Sequence, residues 1–277
     1  MSRYTSAPDA DRQAMLDAIG VGSIDELFAE IPEGVRLRRP LDLPAGLAEQ
    51  DVFDHLAALA ARNTGAEDET SFLGAGMYDH YAPALIDSIL QRSEFLTPYT
   101  PYQPEISQGG LQVMFEYQTA ISELTGLPVS NASVYEGPSA VAAAGYLAKL
   151  ETQRTKLVMS RGLHPHSRET LATHAKGYGM TVAEAGLDGD GVTDLDALAA
   201  LVDDDTAAVF VQQPNFLGTV EELGTLGEAA KRTGALFVVA ADPLPLGILE
   251  PPGALGADLC VGEGQKLANR LGFGGPA

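Results

Sequence analysis

The second half of the chain alternates between helical patterns and short apolar strands, and this alternation constrains the fold more than any other feature. From residue 138 onward, helices are predicted between five Val-, Ala- and Leu-rich strands: KLVMS, TVAEAG, AAVFVQ, ALFVVAAD and ADLCVG. Short apolar strands between helices are typical of a mostly parallel sheet that helices cover on both faces. The sequence therefore predicts an α/β protein whose ligands would lie at the carboxyl ends of the strands.

Residues 1–64 have a different pattern and predict an N-terminal helical arm. The segments DADRQAMLDAIG, SIDELFAEIP and QDVFDHLAALAARN have apolar residues at helical spacing, and Ser23 and Glu26 are spaced as a capping box. A connector rich in proline and glycine separates the last two of these segments. Because three short helices make no convincing core of their own, we expect them to wrap a larger domain formed by residues 65–277.

The charge of the chain restricts its partners. Acidic residues outnumber basic ones 38 to 17, which gives a net charge of −21, and only five of the basic residues are lysines. Nucleic acid and anionic membranes would be repelled, so we expect neither as a partner. An Asp-rich, Lys-poor surface favours a protein from a halophilic archaeon, the alternative being an ordinary acidic protein. Without a signal peptide or an apolar run of about 18 residues, we expect a cytoplasmic location.

Cysteine and histidine give little indication of a metal site. The single cysteine, Cys260, excludes an internal disulfide and a cysteine-based zinc site, and we expect it to be a small buried hydrophobe. His164 and His166 follow the strand KLVMS with no third ligand nearby, so no metal site is predicted. An imidazole at a strand end could stack on a heterocycle, and an ordinary loop histidine is the alternative.

Two strand-end segments are candidates for holding a phosphorylated heterocycle. Asp242 directly follows an apolar strand, where it could hold a protonated pyridine nitrogen or simply start an Asp-Pro turn. The segment NASVYEGPSA leads into a helix, whose free amides could receive a phosphate together with the hydroxyls of Ser133 and Ser139. Pro138 removes one of those amides, and an ordinary helix start explains the same residues.

The segment PYTPYQPEISQGG predicts a loop that proline stiffens. It carries Tyr99, Tyr102 and Glu105, and many polar groups on a backbone of low entropy would suit substrate capture. A rigid surface or interface loop is the alternative.

The last segment, GEGQKLANRLGFGGPA, contains one lysine beside a glycine-rich run. Lys266 could form an imine with pyridoxal phosphate, or it could be an ordinary surface lysine. The residues alone leave both alternatives open.

Six segments together resemble the P-protein family of the glycine cleavage system, in the same order and through nearly the whole chain: FLGAGMYDHYAP, TPYTPYQPEISQGGLQ, NASVYEGPSA, QPNFLG, ADPLPLGIL and GADLCVGEGQ. The resemblance is strongest to the amino-terminal subunit of the two-subunit form. It implies an aspartate aminotransferase-like, fold type I pyridoxal phosphate architecture with a seven-stranded large domain. The smaller carboxyl-terminal domain of that architecture is expected beyond residue 277.

The same resemblance implies an activity and a division of labour. The family decarboxylates glycine on pyridoxal phosphate and passes the aminomethyl group to the lipoyl arm of the H-protein. Its Schiff-base lysine stands eleven residues before the proline of a Gly-Gly-Pro run, and eleven residues before Pro276 stands Gln265, which cannot form an imine. The resemblance thus implies that Lys266 is a bystander and that this chain completes the site of subunit 2.

For the site residues, the resemblance implies two roles. Tyr99, Tyr102 and Glu105 would line the substrate channel across the subunit interface, whereas four residues would be relics of a cofactor pocket: Ser133, Ser139, His164 and Asp242. Two alternatives stay open: a self-sufficient pyridoxal phosphate decarboxylase or transaminase that uses Lys266, and a non-catalytic scaffold subunit.

Overall fold

A computed structural model describes most of the chain, namely residues 7–65, 68–70, 72, 74–76, 78, 80–96, 100 and 102–269. The chain divides into two compact units, Met1–Thr70 and Ser71–Ala277.

The first unit is helical. It contains helix α1 (Asp9–Ile19), a 3-10 helix (Ile24–Phe28) and helix α2 (Glu49–Ala60). The predicted capping box is wrong, because the Ser23 hydroxyl donates to the Glu26 carboxylate over 3.3 Å and does not accept from a helix amide. The Glu26 amide bonds to the Ser23 carbonyl instead, which is the short-range bond of a 3-10 turn.

In the described part of the second unit, the first helices are α3 (Ala84–Leu90), α4 (Ser93–Leu96) and α5 (Pro104–Thr125). The start of α5 corrects the predicted loop, since residues 104–110 are helical. Pro104 lies in the first turn, where a fixed φ suits the helix and no N–H is needed. The helix ends at Gly126, whose φ of +68° lies in the left-handed region.

Residues 137–261 form the predicted α/β sheet, so the α/β fold class is confirmed. Its strands are β1 (Lys156–Ser160), β2 (Thr181–Ala185), β3 (Thr206–Gln213), β4 (Leu236–Ala241) and β5 (Leu259–Val261). They lie in the order β2-β1-β3-β4-β5, and every neighbouring pair is parallel. The resemblance implied seven strands, and the sheet of the described residues has five. Its helices are α6 (Gly137–Thr152), α7 (Pro165–Gly177), α8 (Leu195–Leu201) and α9 (Leu223–Lys231).

Apolar side chains bury both faces of the sheet. Along β3, Val209 and Val211 pack into one core with residues of α8 and α9, whereas Phe210 packs into the opposite core with residues of α6 and α7. Each face therefore has its own helix layer, as the alternation of helices and strands predicts. The strand order reverses between β1 and β3, and the loops that follow these strands lie at the place where such sheets bind ligands.

Candidate functional site

A cavity of about 810 Å³ lies beside the carboxyl end of the sheet. Apolar side chains of α5 and α6 line it together with the connecting loop, which includes Ser133, and the residues around and after β5, which include Glu263 and Gln265. The cavity therefore borders the N-terminus of α6, where the sequence predicts a phosphate site.

Two glycines fix the path of the chain after β5. A Cβ atom on Gly262 would lie 2.2 Å from the carbonyl oxygen of Ala241, and one on Gly264 would lie 2.6 Å from the hydroxyl of Tyr117. At Gly262 the obstacle is a backbone carbonyl, so only glycine fits there, whereas at Gly264 it is the end of the Tyr117 side chain. Glu263, between the two, is thereby carried to the start of α6.

Glu263 bonds to the N-terminus of α6. Its Oε1 accepts a hydrogen bond of 2.7 Å from the Gly137 amide, and its Oε2 accepts one of 2.9 Å from the Gln265 side chain. A carboxylate is favourable here because the positive end of the helix dipole and an unpaired amide face it. The amide that a phosphate would use is therefore already bonded within the chain.

The two candidate serines contribute differently from what their pattern suggests. The Ser139 hydroxyl donates to the Glu136 carboxylate over 2.7 Å, whereas Ser133 lines the cavity. Two amides in the first turn of α6 cannot donate to a phosphate. Pro138 has no N–H, and the N–H of Gly137 already donates to Glu263.

Asp242 follows β4 and is bonded on both carboxylate oxygens. Its Oδ1 accepts from the Leu244 amide over 3.1 Å, which closes the Asp-Pro turn that the sequence allows. Its Oδ2 accepts from the ammonium of Lys266. The side chains of Lys266 and Asp242 are 14% and 23% exposed, so the ion pair is largely shielded from water.

Lys266 is therefore not an ordinary surface lysine, and its role as a bystander in imine formation stays a prediction. Besides its ion pair with Asp242, its Nζ lies 4.8 Å from the ring centroid of Tyr78. The charge of Lys266 thus contacts both a carboxylate 24 positions earlier in the chain and an aromatic ring, which an ordinary surface lysine would not do.

His164 is held entirely by groups of this chain. Its Nδ1 accepts from the His166 amide over 3.1 Å and caps α7, and its Nε2 lies 3.1 Å from the carbonyl oxygen of Ala75. These bonds assign the proton to Nε2. The ring also meets Phe216 edge-on, with centroids 5.0 Å apart at 80°. These contacts fix the orientation of the ring, and its stacking on a heterocycle stays a prediction.

Two of the three predicted substrate-channel residues belong to the described part of the chain. Tyr99 is outside the described residues. Tyr102 is 83% exposed just before α5, Glu105 is exposed in the first turn of that helix, and neither lines the cavity. Their role across an interface stays a prediction.

One buried carboxylate was missed by the sequence analysis. Glu221 is 4% exposed and accepts hydrogen bonds from the Thr193 amide, the Thr193 hydroxyl and the Asn215 side chain, at 2.9, 2.9 and 2.8 Å. Asn215 also donates to the Gly191 carbonyl, so the segment QPNFLG fastens neighbouring loops together. An acid directly after a Thr-Val pair carries no sequence pattern that predicts this burial.

Cys260 lies in β5 and packs against one core of the sheet, as expected for a small hydrophobe. Burial raises the pKa of its thiol to about 12, so it stays protonated at neutral pH. Across the described residues, no group of three or more His, Cys, Asp or Glu could hold a metal ion. In the same part of the chain, no helix has the length and apolar character needed to span a bilayer.

The architecture defines the class of protein. The chain is similar to sphingosine-1-phosphate lyase of Burkholderia pseudomallei with a TM-score of 0.53 and 19% identity, over 83% of this chain and 54% of that one, which shows a shared fold. A likeness with a TM-score of 0.84 and 46% identity links it to a crystal structure of "glycine decarboxylase (P-protein) of the glycine cleavage system, in inhibitor-bound form", over 99% of this chain and 61% of that one. The fold is that of the fold type I pyridoxal phosphate-dependent enzymes.

The family follows from the sequence. The profile of the glycine cleavage system P-protein matches residues 2–277. The chain is 50% identical over 276 residues to a "probable glycine dehydrogenase (decarboxylating) subunit 1" of Geobacillus kaustophilus, which covers 100% of this chain and 61% of the relative. The chain therefore belongs to the glycine cleavage system P-protein family, and it spans about three fifths of the length of the relatives it matches.

The side chains at the two predicted anchor points, the start of α6 and Asp242, do not fit the cofactor of that fold class. Glu263 takes the Gly137 amide that a phosphate would need, and Lys266 takes the carboxylate that a protonated pyridine nitrogen would need. Gln265, in the lysine position implied by the resemblance, bonds to Glu263.

Proposed function

We propose that this chain is subunit 1 of a two-subunit P-protein that decarboxylates glycine on pyridoxal phosphate and transfers the aminomethyl group to the lipoyl arm of the H-protein. The observation that carries the proposal is the similarity along the whole chain, at 46–50% identity, to proteins called glycine decarboxylase or glycine dehydrogenase subunit 1. The partners are accordingly subunit 2, the lipoylated H-protein and glycine.

In this proposal, subunit 2 holds the cofactor. Gln265 has no amine with which to form an imine, and Lys266 is paired with Asp242. The aminotransferase-like fold of this chain then serves to complete the partner's site, with Tyr99, Tyr102 and Glu105 as its contribution across the interface.

An exposed apolar surface supports the presence of a partner. Phe115 of α5 is 66% exposed and Tyr135 of the following loop is 91% exposed, and further exposed apolar side chains lie on the same two segments: Ile106, Val113, Val129 and Val134. Apolar side chains left exposed in this way would be covered if a partner packed against them, and four of them also line the cavity: Val113, Val129, Val134 and Tyr135. Such a surface fits a subunit of a larger assembly.

Reconstitution with subunit 2 tests the shared site. Glycine–bicarbonate exchange is measured for Glu105→Gln and Tyr102→Phe, with Glu123→Gln on the exposed side of α5 as the matched control. If both residues contact substrate, the exchange rate falls at least about tenfold in each variant, because one polar transition-state contact contributes on the order of 1.4 kcal/mol or more. The absorbance of the cofactor on subunit 2 should stay unchanged. If both variants exchange at the rate of the control, the proposal of a shared site is disproved.

We further propose that the protein works in the cytoplasm of a halophilic archaeon. The net charge of −21 and the five lysines support this proposal, because an acidic surface of this kind keeps a protein soluble in concentrated salt.

A further inference from the structure

We infer that Glu263 and Lys266 are internal substitutes for a phosphate and a pyridinium, and that they close this chain's own pocket to a phosphorylated pyridine. The inference rests on the fold and the side-chain contacts, and it does not depend on the activity proposed above.

The first substitute is the Glu263 carboxylate. It places a negative charge at the N-terminus of α6 and accepts the Gly137 amide over 2.7 Å, as a phosphate oxygen would. A Cβ atom on Gly137 would lie 2.4 Å from the Glu263 oxygen, so the carboxylate lies directly against the start of the helix. A second anion at this amide would displace the carboxylate or meet its charge directly.

The second substitute is the Lys266 ammonium. It donates to Oδ2 of Asp242, the residue whose strand-end position suits a pyridinium N–H, and it lies against the Tyr78 ring. An ionised carboxylate that is shielded from water destabilises the fold unless it has a partner. Lys266 supplies that partner for Asp242 from within the chain.

Both substitutes stand on one short segment. Glu263 and Lys266 are three residues apart, and the turn between them is closed by backbone bonds from Leu267 to Gly264 and from Asn269 to Gln265. The His80 side chain also bonds to the carbonyl oxygen of Asn269. One segment after β5 thus brings a negative charge to the Gly137 amide and a positive charge to Asp242, the signs of charge that a phosphate and a pyridinium would carry.

Binding of pyridoxamine 5′-phosphate to the full-length protein tests the inference. This probe lacks an aldehyde, so it forms no adducts with the five lysines, and pyridoxamine without the phosphate is measured in parallel by equilibrium dialysis. The variants are Glu263→Ala, Lys266→Ala and the double variant, with Glu250→Ala on the exposed surface as the control.

Wild type and the control should bind the probe only weakly. Glu263→Ala should tighten binding of the phosphorylated probe at least about tenfold and leave pyridoxamine unchanged, and inorganic phosphate should reverse the gain. The double variant should bind the phosphorylated probe more tightly than either single variant. A folded double variant that binds no better than wild type would overturn the inference, as would tight, phosphate-competitive binding by wild type.

Labelling of lysines in the wild-type protein gives a second measurement that needs no new pocket. Acetylation by a small anhydride, mapped by peptide mass spectrometry, should modify Lys266 at least about tenfold more slowly than exposed Lys176, because the ion pair shields its amine. In Asp242→Asn, the rate at Lys266 should approach that at Lys176. Equal rates in wild type would disprove the ion pair, and an imine absorbance of the wild-type protein that Lys266→Ala abolishes would do the same.

Glycine–bicarbonate exchange is not a readout in either measurement. Failure of the shared-site proposal would therefore leave these binding and labelling results standing, and the reverse also holds.

Discussion

At the scale of single residues, the polar groups that matter most here are those with several partners. Glu221 accepts three donors from Thr193 and Asn215 in a setting that excludes water, whereas its neighbour Glu222 is exposed at the start of α9. Removing a buried acceptor of this kind lowers the stability of the fold, because its donors cannot bond to water instead. The contrast between these adjacent acids makes the contribution of burial measurable.

Glu221→Gln should lower the free energy of unfolding by about 1–3 kcal/mol, because a side-chain NH₂ would face donors where an oxygen now accepts. Urea unfolding followed by circular dichroism measures the change. Glu222→Gln is the matched control and should stay within about 0.5 kcal/mol of wild type. Equal effects of the two substitutions would show that the Glu221 bonds contribute little.

At the scale of elements, an ionic cluster ties the first two strands to a helix. Glu184 of β2 bonds to Arg161, which follows β1, at 2.9 Å and to Arg168 of α7 at 2.7 Å. Burial opposes ionisation of this carboxyl, but the hydrogen bonds and charges of Arg161 and Arg168 outweigh it and hold the pKa of Glu184 below its ordinary value. The cluster links three consecutive parts of the chain: the end of β1, helix α7 and strand β2.

This depressed pKa predicts how stability depends on pH. A carboxyl whose pKa is lower in the folded state stabilises the fold above its unfolded pKa of about 4.3 and loses that contribution as the pH falls through the folded pKa. Glu184→Gln should therefore be less stable than wild type at pH 7, and the difference should shrink on acidification below about pH 4. Urea midpoints at both pH values measure it, with Glu169→Gln on the exposed side of α7 as the control. A difference that does not change with pH would exclude the ionic origin.

The elements also show where sequence patterns succeed and fail. The five strands have nearly the predicted bounds, because their apolar runs are local and the turns that delimit them are local too. The start of α5 was predicted as a loop, since Gly109 and Gly110 and a preceding proline each disfavour a helix on propensity alone. Propensity is a weak determinant there, because Pro104 occupies a position that helices tolerate and the apolar pattern continues beyond the glycines.

At the scale of the whole molecule, net charge governs the response to salt. With a charge of −21 the folded chain repels itself, and this repulsion acts over a distance that shrinks from about 10 Å at 0.1 M salt to about 3 Å at 1 M. The same surface carries few lysines to form compensating pairs.

The melting temperature should therefore rise by several degrees between 0.1 and 2 M KCl. Each kcal/mol gained in the free energy of unfolding raises the melting temperature by roughly 4–8 °C in a small domain and by less in a larger one. Differential scanning fluorimetry measures it, and sucrose of equal osmolality separates charge screening from solute exclusion. A melting temperature that rises equally in sucrose, or not at all in KCl, would contradict the halophilic adaptation.

The sequence by itself determined the parallel α/β sheet, the acidic surface and the presence of Gln265 where the resemblance implies a lysine. Each of these is a property of composition, of local periodicity or of one aligned position. Only the tertiary structure decided which groups occupy the two anchor points. Glu263 bonds to the Gly137 amide, 126 positions earlier in the chain, and Lys266 bonds to Asp242, 24 positions earlier. Such pairs depend on β5 lying beside β4, which places the segment after β5 close to Asp242 and to the start of α6. Neighbouring strands are chosen by packing of the whole sheet, which no local pattern encodes.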